Sequence, residues 1–187
     1  STELRTTNSG DFSGAKRHVE CVDCHNPHMA TAGTHTPPTN VLSNVLLGTW
    51  GVSVTYPAGN WTDPNTYTFS NLYFSTTSGF REYQLCFKCH SYSANLPANQ
   101  TNKAVLFDIS NPSYHPVIAP GKNNNIFSLV PPLTTLSLIK CTDCHNNDDS
   151  TGSKGAHGSI YRYILSKNFT QNDGPEGPFQ YELCYSC

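Results

Sequence analysis

The eight cysteines of this 187-residue chain fall into four pairs, and the two members of every pair are three residues apart. A histidine directly follows three of the pairs, in Cys21-Val-Asp-Cys24-His25, Cys86-Phe-Lys-Cys89-His90 and Cys141-Thr-Asp-Cys144-His145. The fourth pair is Cys184 and Cys187. A Cys-x-x-Cys-His motif is typical of covalent haem c attachment. The spacing therefore predicts four haem c groups, each held by the thioethers of one cysteine pair.

The spacing of each motif has a mechanical explanation. Positions i, i+3 and i+4 lie on the same face of a helix, so two thiols can bond one porphyrin edge while the histidine lies under the iron. We therefore predict His25, His90 and His145 as the proximal iron ligands. The fourth motif lacks this histidine, so we expect the chain to be the front part of a longer protein.

Five more histidines are available as distal ligands for four irons, namely His18, His28, His35, His115 and His157. His28 lies too close to His25 to reach the opposite face of the same haem, so we expect it to ligate a neighbouring haem. We expect either His18 or His35 to be surplus and to serve a haem outside this chain's own four. Ligation by histidine alone should keep the reduction potentials lower than methionine would.

The four motifs form an internal repeat in which the first resembles the third and the second resembles the fourth. Residues 20–26 match residues 140–146, and residues 83–89 match residues 181–187. We expect three parts, namely an N-terminal arm (1–17), a first haem-pair module (18–110) and a second haem-pair module that is cut at its last motif (111–187).

The composition predicts little regular secondary structure. Hydrophobic residues make up 36% of the chain, which also has 13 glycines and 13 prolines. A polypeptide so rich in loops needs a stabilising element besides its hydrophobic core. We therefore expect mostly irregular coil with short helices and a small hairpin, wrapped around a chain of covalently bound haems in near contact. The residue patterns predict helices at 81–90 and 159–166, a helical turn within 41–50, a hairpin from 52–56 and 67–73, and loop over 91–125.

Charge and hydropathy restrict the partners and the location. The formal charge is −2, and ionised haem propionates would bring it to about −10, so we expect no nucleic-acid partner. No apolar run reaches the roughly 20 residues of a membrane span. Because haem c is attached outside the cytoplasm in bacteria and archaea, we expect an exported protein of the cell surface, extracellular space or periplasm, with its export signal removed.

The pattern resembles the multihaem c-type cytochromes with doubled C-x-x-C-H motifs, notably those of dissimilatory metal-reducing bacteria. The resemblance is carried by residues 18–28, 82–90, 114–117 and 155–158. It implies respiratory electron transfer along bis-histidine haems, with other cytochromes or copies of itself as partners and extracellular metal oxides or electrodes as terminal acceptors. Some relatives form extracellular filaments in which a histidine of one subunit ligates a haem of the next, so a filament subunit is an expectation too. The missing fourth histidine departs from the family pattern.

Three other interpretations compete with an electron carrier. Zinc sites use thiol pairs in fours but need no histidine after each pair, and a disulfide scaffold does not explain the uniform spacing. The remaining alternative is a multihaem reductase of a small nitrogen or sulfur oxyanion, or a truncated module of one. Such an enzyme needs an iron with an open position, whereas the supply of histidines predicts saturated irons. We therefore expect an electron-transfer protein rather than an enzyme.

Overall fold

The computed structural model describes residues 19–33, 39–72, 79–94, 96, 100–175 and 177–187. Within these residues regular structure is sparse, and its elements are α1 (Cys21–Cys24), β1 (Trp50–Thr55), β2 (Thr66–Asn71), α2 (Glu82–His90) and α3 (Cys141–Cys144). Short 3-10 turns occur at Asn44–Leu46, Tyr92–Ala94, Lys103–Phe107, Arg162–Ile164 and Cys184–Ser186. The expected arm 1–17 lies outside the described residues, as do His18 and His35. No helix in the described ranges is long and apolar enough to cross a bilayer.

An antiparallel hairpin lies where the alternation of apolar residues predicted one. Strands β1 and β2 pair in a register that places Trp50 opposite Asn71 and Thr55 opposite Thr66. Val52 of β1 is fully buried and packs with Phe87 and Ala104. Tyr73, which the sequence also suggested for this hairpin, lies outside the described residues.

Helix α2, which carries the second cysteine motif, packs against this hairpin. Phe87 is 1% exposed and forms a buried cluster with Val52 and Ala104. The close approach of helix and strand depends on Gly51, since a Cβ there would lie 2.8 Å from the Leu72 side chain and 3.1 Å from the backbone of Gln84. The second motif therefore lies at the centre of the fold.

A second buried cluster joins α1 to the same helix. Leu42, Leu72 and Leu85 form it, and the half-buried side chain of Cys24 packs against it. Because Leu85 belongs to α2, the helices of the first and second motifs share one small core.

Two of the predicted local structures differ from those observed. The helix expected at 159–166 is wrong, because that stretch contains only the 3-10 turn Arg162–Ile164, in which Tyr163 and Ile164 have φ of 64° and 55°. The chain reverses there, and Leu165 makes bridges to Tyr161 and His145. The loop expected over 91–125 contains the 3-10 turn Lys103–Phe107, which begins after Asn102, whose side chain accepts a hydrogen bond from Ala104 N at 3.2 Å.

Candidate functional site

The first and third motifs have the same local fold. In each, the aspartate of Cys-x-Asp-Cys accepts a hydrogen bond from the backbone N–H three residues before it. The distance from Glu20 N to Asp23 Oδ2 is 2.9 Å, and that from Lys140 N to Asp143 Oδ2 is 2.8 Å. A side chain that satisfies a free N–H at a helix start stabilises that turn, so the sequence Cys-x-Asp-Cys itself favours the one-turn helix.

The imidazoles of these two motifs are held in the same way. His25 Nδ1 lies 2.9 Å from the carbonyl oxygen of Val45, and His145 Nδ1 lies 2.9 Å from that of Tyr163. A carbonyl oxygen only accepts hydrogen bonds, so Nδ1 carries the proton in both rings. Nε2 is therefore the nitrogen left for a metal, which is the usual arrangement of a metal-binding histidine. The acceptors lie 20 and 18 residues further along, each in a 3-10 turn.

The second and fourth motifs are also built on helical turns. Cys86, Cys89 and His90 lie in α2, whose first turn is closed by a 2.7 Å hydrogen bond from Arg81 N to Gln84 Oε1. In the fourth motif the N–H of Cys187 donates to the carbonyl of Cys184 at 3.3 Å. Every cysteine pair is thus on a turn of helical type.

Hydrogen bonds join the first motif to the second and the second to the third. Lys88 Nζ, buried in α2, donates to the backbone carbonyl of Asp23 in α1 at 2.5 Å. The carboxylate of Glu82, also in α2, accepts hydrogen bonds from the backbone N–H and the hydroxyl of Thr142 in α3, both at 2.9 Å. Successive motifs are therefore neighbours in space.

The thiols of successive motifs also lie near one another. A hydrogen bond with the Cys141 thiol, together with burial, raises the pKa of Cys86 well above its usual value. Burial raises the pKa of Cys144 to about 11, and the nearby Cys187 adds to the rise. Burial also raises the pKa of Cys24. These groups are therefore thiols rather than thiolates at neutral pH, and thiols of the second, third and fourth motifs lie near one another.

One set of side chains resembles a metal site. The ligand atoms of Glu82, Cys86 and Cys141 lie within 4.8 Å of one another. A structural zinc site has four ligands and commonly takes both thiols of a Cys-x-x-Cys pair. Here each of two pairs contributes one thiol, and the carboxylate is already engaged with Thr142. These three side chains are therefore better explained as a contact between two adjacent motifs than as a zinc site.

The structure brings together one of the three described distal candidates and a proximal ligand. The rings of His25 and His157 have centroids 6.0 Å apart and planes 20° from parallel. His28 is exposed, and its backbone N–H donates to Asn26 Oδ1 at 3.0 Å. His115 is exposed as well. His18 and His35 lie outside the described residues.

Four participants in the site were not identified from the sequence. The carbonyls of Val45 and Tyr163 have no side-chain signal, because any residue offers a carbonyl. Glu82 and Lys88 carried a signal, since each is a charged residue beside the cysteines of the second motif, but only their burial at 2% exposure reveals their role.

Comparisons with protein families, curated proteins and solved structures found no match to this chain.

Proposed function

We propose that the chain is an exported multihaem c-type cytochrome that carries electrons along four covalently bound haems. The observation that carries this proposal is the shared geometry of His25 and His145. Each follows a Cys-x-x-Cys helical turn, and each is oriented by an Nδ1–H hydrogen bond to a carbonyl that leaves Nε2 for a metal. Zinc or disulfide chemistry does not call for a histidine so placed in both motifs.

The donor set fits haem c. Each cysteine pair offers two thiols on one turn, and three pairs have a histidine next to the second thiol. A bound haem supplies reversible one-electron chemistry at iron, while the protein contributes attachment, orientation and burial. Here the cysteines would anchor the porphyrin edges, and His25, His90 and His145 would hold three of the irons.

The contacts between motifs support passage from haem to haem. Lys88 bonds α1, Glu82 bonds α3, and the thiols of Cys86 and Cys141 lie close enough to hydrogen bond. Porphyrins attached at neighbouring thiols would have neighbouring edges. The first three motifs thus contact one another in the order of the sequence, which supports the proposal of an unbroken line of haems.

The histidine supply favours electron transfer over catalysis. His28, His115 and His157 are exposed on the described surface and remain available as second ligands. An iron with two histidines has no position for substrate, whereas a reductase needs one. The partners of this proposal are other cytochromes or further copies of the chain, with a metal oxide or an electrode as terminal acceptor.

The test is expression of the full chain in a host that attaches haem c. Mass spectrometry of the intact protein should count four covalent haems, and a variant with Cys21→Ala and Cys24→Ala should carry one fewer. Fewer than three haems in the unaltered chain would overturn the proposal. Oxidised and reduced spectra should be low-spin for the haems of the first three motifs, whose proximal histidines lie in the chain. A high-spin haem among these three that binds nitrite or cyanide would support the reductase instead.

A further inference from the structure

We infer that His157, together with His25, would hold the iron of the haem attached at Cys21 and Cys24. This inference rests on the proposed function and deepens it. It assigns one distal ligand to one haem, and it makes the first haem site depend on residues from both halves of the chain.

The separation of the two rings is the first support. Their centroids lie 6.0 Å apart, and their planes are 20° from parallel. A histidine nitrogen binds a metal at about 2 Å, so one metal ion held by both rings would keep their centroids several ångströms apart, as is observed.

The protonation of His25 is the second support. Its Nδ1–H donates to the carbonyl of Val45 at 2.9 Å, so a metal would be bound through Nε2. His145 donates the same kind of hydrogen bond, to the carbonyl of Tyr163. Its ring, however, is in contact with no other histidine ring among the described residues, unlike the ring of His25. The pairing with His157 is therefore a property of the first motif and not a general consequence of the fold of the motif.

The loop that carries His157 is pinned to the segment directly after the third motif. Gly155 N donates to Asn146 Oδ1 at 2.6 Å, and the Gly155 carbonyl accepts from Asn147 N at 3.0 Å and from His157 N at 2.8 Å. Gly155 has φ of 103°, a conformation that side chains rarely adopt. Further along, Ile160 N donates to Asp148 Oδ1 at 3.1 Å. His157 is thus held from both sides rather than carried on a free loop.

The first test is the holoprotein with His157→Ala. Electron paramagnetic resonance and optical spectra should show one haem in four converted from low-spin to high-spin, with low-spin character restored by added imidazole. Ser153→Ala serves as the matched control, because it changes an exposed side chain of the same loop that binds no iron, and it should leave the spin state of every haem unchanged. A His157→Ala protein with as many low-spin haems as the unaltered protein would overturn the inference.

The second test identifies which iron His157 serves. In a chain with Cys21→Ala and Cys24→Ala the first haem is absent, so adding His157→Ala should not change the spin state of any of the three remaining haems. If one of the three becomes high-spin, His157 serves another haem and the inference fails. Should that triple variant fold poorly, His157→Met in the unaltered background should raise the potential of a single haem, and paramagnetic NMR contacts between that haem and His25 decide the assignment.

The proposed function and the assignment of His157 would be overturned by different results. A haem count below three in the unaltered chain removes the proposed function. Four haems with no change of spin state in His157→Ala remove only the assignment of His157.

Discussion

The carboxylate of Glu82 accepts hydrogen bonds from the backbone N–H and the hydroxyl of Thr142, both at 2.9 Å. Glu82 is 2% exposed and lies in the first turn of α2, whereas Thr142 lies in the first turn of α3. The N–H groups of a first helical turn have no partner within the helix. Glu82 therefore caps α3 from another helix and fixes the second motif against the third.

Replacing Glu82 should destabilise the holoprotein. Glu82→Ala leaves the partly buried N–H of Thr142 without its acceptor, and an unsatisfied polar group costs about 1–3 kcal/mol. Chemical denaturation followed by far-ultraviolet circular dichroism measures the loss. Asp173→Ala, which removes an exposed carboxylate, should change the free energy of unfolding by less than about 0.5 kcal/mol. Equal effects of the two substitutions would contradict the capping role.

Lys88 should make stability depend on pH in the alkaline range. Burial lowers the pKa of Lys88 below its usual 10.5, although nearby cysteines and Asp23 oppose the shift. As the pH rises from the folded pKa towards 10.5, the folded state has released a proton that the unfolded state still binds, so the free energy of unfolding rises with pH. Lys88→Met lacks this contribution.

The measurement for Lys88 is the difference in unfolding free energy between the unaltered protein and Lys88→Met, followed from neutral pH to pH 10.5. The difference should shift in favour of the unaltered protein as pH increases. Lys103→Met, which removes an exposed lysine, is the matched control. A flat profile for Lys88→Met would show that its ammonium is not desolvated.

Truncating Phe87, in the second motif, should lower the free energy of unfolding far more than truncating an exposed phenylalanine. Phe87 is 1% exposed, packs with Val52 and Ala104, and lies 5.3 Å from Tyr83 between ring centroids. Truncation of a buried phenylalanine to alanine costs about 3–5 kcal/mol. Phe127 is 94% exposed, so Phe127→Ala should change the unfolding free energy by less than about 0.5 kcal/mol. Thermal and denaturant unfolding of the two variants gives the comparison.

Local features of the fold could be predicted where the signal lies in adjacent residues. The helix at 81–90 and the hairpin from 52–56 and 67–73 follow from short patterns, and the observed α2 and β1–β2 lie at those places. The helix expected at 159–166 failed for a tertiary reason. The chain turns back in this stretch, so that Leu165 forms a bridge to His145 and the Tyr163 carbonyl accepts a hydrogen bond from the His145 ring. These contacts are with a distant part of the sequence, so no pattern in residues 159–166 could predict them.

The candidate site likewise combines local features that the sequence predicts with tertiary contacts that it does not. Spacing alone identified the cysteine pairs and the histidines beside them, because those residues are adjacent in sequence. The pairing of His25 with His157 could not be predicted, since 131 positions separate the two in the chain and five histidines competed as distal ligands. Hydrogen bonds of Asn146 and Asp148 place the loop of His157, and their effect depends on the whole fold.

Asn146 should hold in place the loop that carries His157. Asn146 Oδ1 accepts the N–H of Gly155 at 2.6 Å and that of Asn147 at 2.9 Å. Asn146→Ala removes this acceptor without touching a cysteine or a histidine. The loop should then hold His157 less firmly, so one haem should pass from low-spin to high-spin at a lower temperature than in the unaltered protein.

The matched control is Asn123→Ala, because Asn123 Oδ1 also accepts a backbone N–H, that of Asn125 at 2.9 Å, in an exposed turn. It should leave the spin transition in place, whereas Asn146→Ala should lower its midpoint and increase the imidazole affinity of that haem. A loss of two acceptor contacts worth about 1 kcal/mol each corresponds to a weakening of ligation by roughly tenfold or more. An Asn146→Ala protein with an unchanged transition would mean that Asn146 does not position His157.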